Sequence, residues 1–196
     1  MSLEMTERGI GLEIIQLEVT KILFNELNDE ILLQEDLWAT RDEEWNQLSG
    51  QDSPSTLLEQ IEPSNFYSGH RPSLIEQAPR EKYPNISVMA YAGRPTNFSI
   101  DQATNYQIRV DIEIMCKSEN SEAEVDKRIH RLAEAVHQVL TRNENLGGAS
   151  YGWENDPIVQ ITDVFKRREA QGGGQDWYWQ ASRISYNLTR RATLPE

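Results

Sequence analysis

From Tyr106 to Ile114, apolar and polar positions alternate without a break. Tyr106, Ile108, Val110, Ile112 and Ile114 are separated by Gln107, Arg109, Asp111 and Glu113. Side chains alternate across a strand, so the pattern predicts a strand over 106–117 with one buried face and one wet face. A sheet that is wet on one side is antiparallel or mixed and carries its helices on the other side. Ser118-Glu119-Asn120-Ser121 follows as a helix cap with acidic residues in the first turn. Val125, Ile129, Leu132, Ala133, Val136, Val139 and Leu140 then recur at helical spacing. They predict a helix over 122–143, ended by Asn145-Leu146-Gly147-Gly148.

The same reading extends in both directions. Leu12, Ile15, Val19, Ile22 and Leu23 predict a first helix over 9–28. Ile31, Leu32, Leu33, Leu37 and Trp38 continue the apolar run, while Asp29 and Asp36 are residues that cap or break helices. The expectation is one long kinked helix, or two in succession, ending near Ser49-Gly50. Residues 50–82 contain Pro54, Pro63, Pro72 and Pro79. They read as a long ordered loop with one helical turn over 55–61. Such a loop is usually functional or docked on a neighbour. A short strand over 86–92, introduced by Tyr83-Pro84, leads to a turn at Gly93-Arg94-Pro95-Thr96-Asn97. A third strand covers 158–168, Gln171-Gly172-Gly173-Gly174-Gln175 forms a hairpin tip, and a fourth strand covers 177–190. The expected fold class is α+β. It has a mixed or antiparallel sheet of about four strands, a helix on one face and an N-terminal helical extension. One domain would span 1–196, with a helical region over 1–49, the proline-rich loop over 50–82 and the sheet-and-helix core over 83–196.

Charge narrows the functional classes. The net charge is −13, and it is unevenly spread. Residues 1–60 hold 14 acidic and three basic side chains, whereas 157–196 hold four acidic and six basic. Phosphate binding draws its affinity from Lys and Arg, so an acidic chain is a poor clamp for nucleic acid. The charge serves solubility, or forms a surface past which DNA slides. The single cysteine, Cys116, shares the parity of the buried row and reads as a small apolar side chain. One cysteine cannot form an intrachain disulfide, which suits a reducing interior. Residues 1–8 lack the apolar run of a secretory signal, and no stretch approaches the roughly 20 apolar residues of a membrane span. The Asn-x-Ser/Thr triplets at Asn85, Asn97 and Asn187 then read as chance matches.

Candidate chemistry is sparse. His130, Glu134 and His137 stand on one side of the second helix at a spacing that can hold a metal. They lack the His-Glu-x-x-His order of a zinc hydrolase, and polar residues bordering a core stripe are the plainer reading. Asp111 and Glu113 share a strand face, where carboxylates can do acid–base work; with Arg109 in the row, cross-strand ion pairs fit better. Gly172-Gly173-Gly174 precedes Trp177-Tyr178-Trp179 and no helix, so it is no phosphate cradle. Lys166, Arg167 and Arg168 lie across the hairpin from Trp177, Tyr178 and Trp179, and Arg190-Arg191 is the other basic cluster. Basic residues among aromatics can bind single-stranded nucleic acid. In an acidic protein they fit an acidic patch on another subunit better, because Trp, Tyr and Arg dominate protein interfaces. Trp38 and Trp45, seven residues apart, either pack on the domain's own sheet or dock on a neighbour. No catalytic, cofactor-binding or metal-binding residue is assigned. Lys166, Arg167, Arg168, Trp177, Tyr178 and Trp179 are the interface candidates.

The segments YQIRVDIEIMCKSENSEAEVDKRIHRLAEAVHQVL and IVQITDVFKRREAQGGGQDWYWQASRISYNLTRR together resemble the tail terminator, or tail completion, proteins of long-tailed bacteriophages. The resemblance covers roughly residues 83–191. It implies a virion protein, assembled in the host cytoplasm, that forms a ring, usually of six copies. The ring caps the tail tube and meets the head-side connector proteins, with DNA passing through its lumen. No membrane, cofactor or specific nucleic-acid sequence enters this picture. A head-completion or connector-adaptor protein of the same neck is the alternative. A small metal-dependent enzyme using His130, Glu134 and His137 is the alternative from another class.

Overall fold

Helix α1 (Leu12–Ser49) takes up 38 residues, roughly 57 Å at 1.5 Å per residue. The computed structural model describes residues 12–50, 58–68, 83–98, 103–143, 157–168 and 176–193, of which 92–98, 103–106, 167–168 and 190–193 are described as backbone only. Of the two expected forms, α1 is a single helix. It runs through Asp29 and Asp36, whose side chains stay in solvent and leave the backbone ladder intact. Its buried residues are Ile15, Val19, Leu23, Leu27, Glu30, Ile31, Trp38 and Asp42. Steps of four overshoot a full turn by roughly 40°, so the buried stripe winds around the helix. The first half therefore faces the sheet and the second half faces helix α2 (Glu122–Arg142).

Helix α2 follows its pattern closely. Ser121 caps it, its hydroxyl accepting from the Glu124 N–H at 3.1 Å. The Asn120 amide donates to the Glu124 carboxylate at 2.6 Å. All seven residues of the expected stripe are buried. The helix ends at Arg142, and the terminator expected at Asn145–Gly148 lies outside the described residues.

Among the described residues, six strands make one mixed sheet: β1 (Phe66–Ser68), β2 (Asn85–Phe98), β3 (Ala103–Ser118), β4 (Ile158–Ile161), β5 (Phe165–Arg168) and β6 (Asp176–Thr193). Their order is β1-β2-β3-β6-β4, with β5 also on β6. Only the β1–β2 pair is parallel. The class is the expected α+β, but the expected four strands become six for two reasons. The proline-rich segment contributes β1. The strand expected over 158–168 is split: Ile161 faces Ser182 while Phe165 faces Trp179, so four steps on one strand match three on the other. This is a β-bulge. At the bulge the Thr162 N–H donates to the Ala181 carbonyl at 2.9 Å, and the Ala181 N–H donates to the Thr162 hydroxyl at 3.2 Å. The turn expected at 93–97 is also corrected. β2 continues to Phe98, with register shifts on either side of Pro95 that accommodate its missing N–H. The hairpin tip at 171–175 lies outside the described residues.

The proline-rich segment, where described, is docked on its own chain. Asn28 holds Ile61 by both backbone groups, donating to its carbonyl at 3.0 Å and accepting from its N–H at 2.8 Å. Asn65 donates to the Pro84 carbonyl at 3.0 Å. Residues 58–61 are not helical, residues 55–57 lie outside the described residues, and a short 3-10 turn sits at Pro63–Asn65. Gln16 of α1 ties the edge together, donating to Ser68 at 3.1 Å and accepting from the Ala90 N–H at 3.2 Å.

One cluster joins these elements. Ile86 and Val88 of β2, Ile108, Val110, Ile112, Ile114 and Cys116 of β3, and Ile184, Tyr186 and Leu188 of β6 meet the stripes of α1 and α2. Both described helices lie on this face of the sheet. No helix among the described residues is long and apolar enough to cross a membrane.

Candidate interaction surfaces

The register of β5 on β6 sorts the six interface candidates onto two faces. Lys166 lies opposite Tyr178, Arg167 opposite Trp177, and Arg168 opposite Asp176. Lys166 and Tyr178 share the helix-side face. There the Lys166 ammonium is 2.9 Å from Asp176 and 5.2 Å from the Tyr178 ring centre. The hydrogen bond to Asp176, joined by one to Tyr178, raises the Lys166 pKa above its usual value. Tyr178 is packed against the core. Trp177 and Trp179 lie on the opposite face around Lys117, whose ammonium is 3.0 Å from the Trp177 ring centre, 5.7 Å from that of Trp179 and 6.0 Å from that of Tyr83. Such cation–π stacking is favourable but uses the aromatic faces internally. All three aromatics are half-buried. Arg167, Arg168, Arg190 and Arg191 are described as backbone only.

The sequence reading missed Lys117, although the signal was present. It closes the polar row that runs through Arg109, Asp111 and Glu113. It also missed the apolar residues that the edge leaves in water. Phe165 is 63% exposed, and Ile158 and Val159 are exposed on the two faces of β4. β4 ends the sheet order, so among the described residues its outer backbone edge pairs with no strand.

A second apolar surface lies on α1. Leu33, Leu37, Trp45 and Leu48 are exposed, Leu48 by 84%. Leu33 and Leu37 are one turn apart, and Leu48 falls eleven residues on, along the same side. Asp36, Glu43 and Glu44 flank them, also exposed. Trp38, in contrast, is buried against α2. Its indole donates to Glu134 at 3.3 Å, and its carbonyl accepts from Arg131 at 3.2 Å. The two tryptophans therefore have opposite environments, because the winding stripe reaches Trp38 and passes Trp45 by.

The sheet face opposite α1 and α2 carries an ion-pair ladder, but Ser87, Met89, Asp111 and Met115 at its centre are buried, which corrects the expected wet face. Arg109 grips Asp111 with two hydrogen bonds, at 2.6 and 3.0 Å, and reaches Ser185 at 3.1 Å. Arg183 lies directly opposite Glu113 and pairs with it, Nε to carboxylate at 3.1 Å. Glu113 is thus held across the strands, as the cross-strand reading expects, whereas Asp111 is buried and held by Arg109 of its own strand.

His130, Glu134 and His137 go to three different partners. His130 sits 3.8 Å from Asp126. Glu134 accepts from Arg41 at 2.9 and 3.3 Å and from Trp38. Burial pushes the Glu134 carboxyl up, but those hydrogen bonds and the positive charge of Arg41 and Arg131 outweigh it and hold its pKa below the usual value. The His137 ring is 3.1 Å from the Tyr186 hydroxyl, whose own pKa burial pushes up. Among the described residues, no three His, Cys, Asp or Glu side chains converge as a metal site would require. A cleft of about 350 Å³ beside Lys117 is lined by both signs of charge, including Glu59, Glu119, Glu124 and Arg128. Arg128 is already engaged there with Glu124 at 2.7 Å.

No family model matches the chain, and a comparison with curated proteins finds no match.

Proposed function

We propose that this chain is a ring-forming neck component of a bacteriophage tail, a tail terminator that caps the tail tube and joins it to the head-side connector. The observation that carries the reading is the placement of two unlike, water-exposed apolar surfaces. Helix α1 packs on β1, β2 and α2, whereas β4 closes the far end of the strand order. The exposed apolar residues of α1, on the half that packs on α2, and those of β4 and β5 therefore form two separate surfaces on different elements. A chain with two separate, complementary surfaces associates head to tail, and such a contact closes into a ring when its rotation permits. The element order, with the alternating strand, the capped helix and the long final strand, supports the same reading through the resemblance to tail terminators.

The protein acts by shape and charge, without bond chemistry. Copies of itself are its first partners, six by the resemblance. Tail tube protein and the connector are its partners above and below, in the virion. The acidic surface of the assembly lets DNA pass without being held. The test is to mix the purified chain with assembled tail tubes and view them by negative-stain electron microscopy. Rings at one end of each tube are expected, and growth of capped tubes should stop on addition of tube monomer. Tubes that keep bare ends and keep elongating would overturn the proposal.

A further inference from the structure

We draw no further inference here: the strongest candidate, the outer edge of β4, which pairs with no strand among the described residues and has Ile158, Val159 and the neighbouring Phe165 exposed beside it, carries none because those side chains divide between the two sheet faces and nothing in the structure shows what covers them.

Discussion

The Asp42 carboxylate on α1 accepts a hydrogen bond from the Arg131 guanidinium on α2 at 2.7 Å, and both side chains are buried. Lys127 reaches the same oxygen of Asp42 at 2.9 Å, and Arg131 also donates to the Trp38 carbonyl. This group fixes where the second half of α1 lies on α2. It therefore sets which side of α1 faces water. A buried pair is weak as a source of net stability, but breaking it strands a charge. Asp42→Ala should lower unfolding free energy by about 3–5 kcal/mol in urea titrations, whereas Asp42→Leu with Arg131→Met should cost much less.

The two tryptophans of α1 should separate cleanly. Trp38→Ala empties a fully enclosed site and should cost about 3–5 kcal/mol. Trp45→Ala should change the unfolding free energy by no more than about 0.5 kcal/mol, as an exposed substitution does. Chemical denaturation followed by circular dichroism measures both.

Cys116 is enclosed on the buried face of β3, and burial pushes its thiol pKa from 9.0 up to about 12. Arg128 pulls it down slightly and Glu59 adds a small push upward. The folded protein keeps the thiol protonated while the unfolded chain loses the proton above 9.0. This group therefore leaves stability unchanged below that pH and erodes it as pH rises towards about 12. Cys116→Ala should remove that part of the alkaline slope, up to about 1.4 kcal/mol per pH unit. Thiol reagents should label the native protein slowly at pH 8 and the urea-unfolded chain at once.

Glu134 titrates in the other direction. Its folded pKa lies below the usual 4.5, because the hydrogen bonds from Arg41 and Trp38 outweigh its burial. Its contribution to stability is present above that value and fades as pH falls through the lowered one. Arg41→Met should shift the Glu134 carboxyl pKa upward in an NMR titration. An unchanged value would show that Arg41 is not its partner in solution.

Much of the fold was legible where a single neighbour decides a pattern. β3 has helices on one face and a charged row on the other, so its alternation is clean from Tyr106 to Ile114, although Asp111 of the charged row is buried and Met115 interrupts it. The capping residues Ser121 and Glu124 mark the start of α2 because their bonds are local. Helix α1 was harder to read. Its first half answers to the sheet and its second to α2, so no single periodic stripe runs its length, and Asp29 and Asp36 resembled breaks. β1 is only three residues long and owes its existence to β2 and Gln16, which are distant in sequence. Of the interface candidates, Trp177 and Trp179 turned inward on Lys117, a contact that register creates and composition does not announce. Phe165 and Ile158 stay in water because a one-residue bulge and the end of the sheet leave them there.

The most direct test of the account is the mass of the full-length chain in solution, measured by multi-angle light scattering across a wide concentration range and again with tail tubes present. The account predicts a closed oligomer of one defined size that weakens with added salt and moves onto tube ends. A chain that remains a monomer throughout and leaves the tubes untouched would contradict it.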